Sequence, residues 1–105
     1  MDIGSEAAFD RATEKGRVVV EVYADWCPDC RRIEGRMPHW AAEFADRFRL
    51  LRVNRDAVPA VGERFGVLGI PTFLVFEDGE LRARLLSRDA KTAHQVESFL
   101  AGLYA

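Results

Sequence analysis

Cysteine is scarce in this chain. It occurs twice in 105 residues, and both copies lie in Cys27-Pro28-Asp29-Cys30. A disulfide across so short a loop adds only roughly 2 kcal/mol, against about 4.7 for a loop of about 100 residues. The pair therefore suits switching better than stapling. Lysine is limited to Lys15 and Lys91, and the formal net charge is −2. That balance argues against nucleic acid as a partner, because phosphate binding draws on a basic patch. No apolar run approaches the length of a membrane span, so no membrane partner is expected. The first nine residues carry Asp2 and Glu6 and lack an apolar stretch, so they do not read as a signal peptide. The expected location is the cytoplasm, where thiols stay mostly reduced, on condition that no leader has been removed. Internal repeats, low-complexity tracts and linkers are missing, and so is a glycine-rich nucleotide loop.

What is present reads as one folded domain over residues 1–105. With 49% hydrophobic and 30% charged residues the chain is globular rather than disordered. Ser5 to Lys15 reads as a helix stopped by Gly16. Arg17 to Ala24 holds Val18, Val19, Val20 and Val22, a run that suits a strand buried on both faces. A helical stretch from the cysteines to about Phe48 places Ile33, Met37, Trp40, Ala41, Phe44 and Phe48 at helical spacing, with a kink or break expected at Pro38. Leu50 to Asn54 reads as a strand, Val58 to Phe65 as a short helix and Thr72 to Phe76 as a strand. Asp78-Gly79 is a hairpin signal, and Glu80 to Leu86 returns as a strand. Ser87 and Asp89 are candidate caps for a last helix reaching about Leu103. The order α-β-α-β-α-β-β-α implies a layered α/β domain around a mixed sheet.

The cysteines fall where a buried strand ends and a helix begins. A helix N-terminus presents free N–H groups and a positive dipole end, which favour a thiolate. A thiol lowered there from about 8.5 to about 7 gains about 16-fold in thiolate at neutral pH, and loses about 5-fold in nucleophilicity. The larger benefit lies in a better leaving group when the second thiol resolves a mixed disulfide. Two other readings of the pair stay open at this point. It is also half of a zinc site by pattern, although His39 and His94 have no ligand-like spacing, so no metal site is expected. Two inert, core-packed thiols are the third reading.

With these segments in hand, the chain resembles the thioredoxin family. The resemblance is carried by Ala24-Asp25-Trp26-Cys27-Pro28-Asp29-Cys30, by Gly69-Ile70-Pro71-Thr72-Phe73, by Phe76-Glu77-Asp78-Gly79-Glu80, and by the order of elements. It implies a three-layer α/β/α sandwich with a central mixed sheet of four or five strands, the first short or missing because only Met1 to Gly4 precede the first helix. It also implies that Cys27 is an exposed attacking thiol and Cys30 a buried resolving thiol. Pro71 then follows a cis peptide and faces the sulfurs. Trp26, Pro28, Asp29, Gly69 and Ile70 form the substrate-binding surface, where an extended segment pairs with backbone beside the proline.

Several residues depart from the family pattern. Pro28-Asp29 stands where glycine and proline are usual, and the Asp29 charge is expected to oppose part of the helix dipole. Glu21 occupies the place of a buried aspartate and is expected to take or relay the proton of Cys30, paired with Arg52. Gly35 sits where a helix proline is usual, and Ser87 near a glycine that lets substrates approach. Arg31, Arg32 and Arg36 read more simply as a solvated helix face than as a source of positive potential. The implied activity is reduction of protein disulfides. No cofactor is bound; the redox-active group is the Cys27–Cys30 pair, and NADPH acts only through a partner reductase. The partners are disulfide-containing proteins and that reductase, and a monomer is expected. An oxidase or isomerase outside the cytoplasm, and a thioredoxin-like binding module without turnover, are the alternatives.

Overall fold

The computed structural model describes residues 2–105. In chain order they form β1 (Asp2–Ile3), α1 (Glu6–Thr13), β2 (Arg17–Tyr23), α2 (Pro28–Glu34), α3 (Met37–Glu43), β3 (Arg49–Asn54), α4 (Pro59–Arg64), β4 (Thr72–Glu77), β5 (Glu80–Leu85) and α5 (Ala93–Gly102). The five strands make one mixed sheet in the order β1-β3-β2-β4-β5. β1, β3 and β2 run parallel, and β4 and β5 are antiparallel to their neighbours. The first strand is thus present, though only two residues long. It sits at the sheet edge, with Asp2 and Ile3 opposite Arg52 and Val53.

β2 is central because its valines serve two cores. Val18, Val20 and Val22 pack with Phe9 of α1 and Val61 of α4. Val19 points the other way, into a core with Ile33, Met37, Trp40, Val96 and Leu100 of α2, α3 and α5. The two-residue repeat of a strand puts Glu21 on this second face, between Val19 and Tyr23. Its sheet neighbours are Arg52 on β3 and Phe73 on β4. These are the three layers that the resemblance implies.

Two boundaries differ from expectation. The long helix breaks at Gly35–Arg36, before the proline, and Pro38 lies in the first turn of α3. A proline lacks an N–H, and only the first helical turn tolerates that loss. α3 ends at Glu43, and Phe44 and Phe48 stack on each other in the turns beyond it, with centroids 5.7 Å apart. The last helix starts later than Ser87 or Asp89, which form only a short 3-10 turn. Its cap is Thr92: the hydroxyl accepts from Gln95 N at 3.2 Å, and Gln95 Oε1 accepts from Thr92 N at 3.1 Å. That reciprocal pair satisfies two free helix donors, which Asp89 does not do.

At the other end of β2, Asp78 and Gly79 both take positive φ (50° and 86°), as a two-residue hairpin turn requires. Asp78 N donates to Gly16 O at 2.9 Å, and Gly16 N donates to Asp78 Oδ1 at 2.7 Å. The hairpin is thereby tied to the turn that feeds β2. The α5 cap gives a direct test. Thr92→Ala should cost about 1 kcal/mol in urea unfolding. Asp89→Ala should fall within about 0.5 kcal/mol of the parent, as an exposed position without a cap role does. The reverse ranking would move the helix start back to the 3-10 turn.

Candidate active site

Cys27 is the N-cap of α2 and Pro28 follows it in the first turn. The Cys27 backbone is extended (φ −82°, ψ 114°), which turns its side chain back over the helix end. There Sγ accepts the Cys30 N–H at 3.1 Å. Arg31 N donates to Cys27 O at 3.0 Å, so the first helical bond closes beneath it. Both thiols are free. They pack together with Tyr23 and Ala24, and with Ile70 against them.

The expected contrast between an exposed Cys27 and a buried Cys30 is smaller than the resemblance implies. Cys27 is 4% exposed and Cys30 1%. Cys27 shows only an edge because the Ile70 loop lies over it, with Sγ 3.6 Å from Ile70 O. Burial pushes the Cys30 thiol well above its usual range, and the sulfur of Cys27 beside it adds to that shift.

The loop opposite the sulfurs is held by its own residues. The Ile70–Pro71 peptide is cis, and Pro71 is buried. Thr72 Oγ1 donates to Gly69 O at 2.6 Å. A Cβ on Gly69 would meet Ser87 Oγ at 2.3 Å and Ser87 Cβ at 3.2 Å, so a side chain at this position requires the serine to turn its hydroxyl aside and give way slightly. Trp26 is 61% exposed, and its indole N–H donates to Asp56 Oδ2 at 2.8 Å. Pro28, on the other side of Cys27 in sequence, is exposed as well. Ile70 therefore meets Cys27 and Cys30, with Gly69 and Pro71 on either side of it in the chain and Trp26 and Pro28 on either side of Cys27.

Asp29 does not face the sulfurs uncompensated. Arg32 Nη1 lies 2.5 Å from Oδ1, and Lys91 Nζ lies 3.2 Å from Oδ2. The hydrogen bond from Arg32, then that from Lys91, holds the carboxyl below its usual range. Two cations on one carboxylate shrink the opposition to the helix dipole that the sequence suggests.

Glu21 lies on the cysteine-bearing side of the sheet and is wholly buried. Arg52 Nε donates to Oε1 at 2.9 Å, while Oε2 has no hydrogen-bond partner. Burial pushes the carboxyl up to about 7, against the pull of Arg52. Its charge acts on Cys30 in turn, as part of what raises that thiol. Arg52 is itself held by more than Glu21. It lies 3.7 Å from the centre of the Tyr23 ring and reaches Glu34 Oε1 at 3.5 Å. The Tyr23 hydroxyl donates to Asp2 Oδ1, and burial together with that carboxylate pushes the phenol up to about 12.

Tyr23, Glu34, Asp56 and Lys91 are the site residues that sequence reasoning passed over. Glu34 and Tyr23 had local signals, since Glu34 follows Cys30 by one helical turn on α2 and Tyr23 alternates with Glu21 on β2. Among the described residues no group of three or more His, Cys, Asp or Glu side chains is arranged to hold a metal.

The buried carboxyl makes stability depend on pH with a definite sign. Its folded-state value, about 7, lies above the ordinary 4.5, so the folded protein holds the proton more tightly. The resulting stabilisation is full below about pH 4.5 and is lost as pH rises through about 7. The shift corresponds to a loss on the order of 3 kcal/mol. Glu21→Gln should abolish that loss. Its urea midpoint, compared with the parent's, should rise between pH 5 and pH 8; parallel profiles would show that Glu21 is ionised throughout. Cys30 stays out of the comparison, because its raised value affects stability only above its ordinary range near pH 9.

Comparison with known proteins matches this arrangement. The thioredoxin family model covers residues 2–101. A thioredoxin from Rhodospirillum rubrum is 31% identical over 90 residues, which span 84% of this chain and 86% of the relative. One from Staphylococcus aureus is 32% identical over 76 residues, 72% of this chain and 73% of the relative. The chloroplastic thioredoxin M4 of Arabidopsis thaliana is 33% identical over 69 residues, and the match spans only 36% of that longer protein. The solved structure of Plasmodium falciparum thioredoxin superposes with a TM-score of 0.87 at 25% identity, over 99% of this chain and 98% of the other. The chain belongs to the thioredoxin family, and its CxxC pair supplies the two thiols of a thiol–disulfide oxidoreductase.

Proposed function

We propose that this protein reduces protein disulfides, with Cys27 attacking and Cys30 resolving. The observation that carries this reading is the Cys30 N–H aimed at Cys27 Sγ, 3.1 Å away at the start of α2. A helix-end donor on that sulfur is placed to bond the charge that returns to it when it later departs. The Cys27 thiolate attacks one sulfur of the substrate disulfide. A Cys27–substrate disulfide forms, and the other substrate sulfur leaves with the electron pair. Cys30 then loses its proton and attacks Cys27 Sγ. The Cys27–Cys30 disulfide forms, and the second substrate thiolate is released. Two electrons have passed to the substrate.

Cys30 is hard to ionise, because it is buried and its pKa is pushed up. Glu21 supports the role of proton acceptor. It lies on the same side of the sheet, has an unpartnered oxygen and titrates about neutrality. Its partner Arg52 favours the ionised carboxylate, which is the form able to accept. A reductase drawing on NADPH would restore the dithiol, and the proposed setting is the cytoplasm, where thiols are kept reduced. Substrate would lie extended beside Ile70 and Pro71, its backbone pairing with the loop and Trp26 flanking it.

A Cys30→Ser variant should accumulate mixed disulfides through Cys27 and recover substrates. Insulin reduction driven by dithiothreitol should be fast for the parent and lost in the variant. A parent with no turnover would favour the binding-module reading, and a far less negative redox potential the oxidase. In single-turnover mixing, Glu21→Gln should leave formation of the mixed disulfide unchanged and slow its resolution by about tenfold at pH 7. An unchanged resolution rate would remove Glu21 from the mechanism.

A further inference from the structure

Leu68 is the most exposed large apolar residue in the structure, at 93%, and it stands two positions before Ile70. A single exposed leucine means little by itself. This one lines a cavity of about 170 Å³ together with Gly69, Leu86, Arg84 and Arg88. The cavity begins one residue from Ile70, whose carbonyl touches Cys27 Sγ. It therefore adjoins the place where a substrate's own sulfur must arrive.

The charge in the cavity is of one sign and poorly answered. Arg84 makes no ion pair among the described residues; its Nη1 donates to the Phe65 carbonyl. Arg88 contacts only Asp89, the next residue, through Nε at 3.4 Å. Both arginines are exposed. Asp89 is the one acid in this loop, and it does not line the cavity. Elsewhere near the site the balance differs. Asp56 is bonded to Trp26, and the cations beside Asp29 are occupied by it.

We propose that this cavity selects the substrate: the protein prefers disulfides whose cysteine has an apolar neighbour and, two positions beyond that neighbour, an Asp or Glu. The inference rests on the disulfide-exchange reading above. A chain extended along the Gly69–Ile70 backbone advances about 3.3 Å per residue, with alternate side chains on the same face. The side chain next to the reactive cysteine thus falls over Leu68 and Leu86, and the one two positions further on, on the same face, within reach of the guanidinium groups. The long-range field opposes this preference, because the whole chain carries a net charge of −2 and would favour a basic substrate. Local pairing and net charge therefore predict opposite rankings.

The test uses end-capped Glu-Ser-Leu-Cys-Leu-Ser-Glu and Lys-Ser-Leu-Cys-Leu-Ser-Lys, each as its mixed disulfide with thionitrobenzoate. The Cys30→Ser variant supplies a single attacking thiol. Cys27 forms a bond to the peptide sulfur, the existing S–S bond breaks, and thionitrobenzoate leaves with the electron pair and is read by its colour. Each rate is divided by that of mercaptoethanol with the same peptide. The acidic peptide should react about three- to tenfold faster at low salt, and the ratio should fall as salt rises. Adding Arg84→Gln and Arg88→Gln should remove the preference. Arg88→Gln alone, which spares the Arg84–Phe65 contact, should reduce it. Arg11→Gln, which removes an exposed charge on α1, should leave it intact. Brisk release with equal rates, a basic preference, or an equal loss in Arg11→Gln would overturn the selective cavity and leave disulfide exchange standing. No release from either peptide would overturn both.

Discussion

One backbone donor organises the site: the Cys30 N–H that points at Cys27 Sγ. A helix must begin somewhere, and its first N–H groups need acceptors. Here the acceptor is the reactive sulfur itself, so the requirement that starts α2 also orients the chemistry. Pro28 fits because its missing N–H is one the first turn can spare. Cys30 is carried to the inner side of the same turn, against Tyr23 and Ala24. Ile70 closes the arrangement from a distant loop and leaves only the edge of Cys27 in contact with solvent.

Beneath the sulfurs, polar contacts link the site to the edge of the sheet. Glu21 holds Arg52, which lies over Tyr23, whose hydroxyl reaches Asp2 on the two-residue β1. β1 is too short to hold its place by backbone pairing alone, and the Tyr23–Asp2 bond adds a side-chain anchor. The same arginine reaches out to Glu34 on the helix that bears both cysteines. An arginine shared in this way serves fold and chemistry together. It lowers the cost of enclosing Glu21, though burial still dominates and the carboxyl titrates near 7.

Local chemistry was legible and distant chemistry was not. The valine run of β2, the Asp78-Gly79 turn and the side of β2 on which Glu21 falls follow from short-range pattern, and the structure has them there. The pairing of Glu21 with Arg52 was read through the family, and it is present. The long helix breaks before Pro38 rather than at it, because the proline has no N–H for the carbonyl four residues earlier and is tolerated only in a first turn. The start of α5 was misjudged, although Thr92 and Gln95 have the spacing of a reciprocal cap. The near-burial of Cys27 was beyond local reading, since Ile70 lies 43 positions away in the chain. The same holds for Lys91 on Asp29, across 62 positions.

The contact between Gly69 and Ser87 joins two stretches of chain that flank the reactive centre. An extra carbon on the glycine fits only if the serine hydroxyl turns away and its Cβ yields by a few tenths of an ångström. Changes at these two positions are therefore coupled as the protein evolves toward new targets. A bulkier residue in one stretch demands retreat in its neighbour, whereas the exposed Leu68 and Arg88 have no such partner across the gap and can vary one at a time.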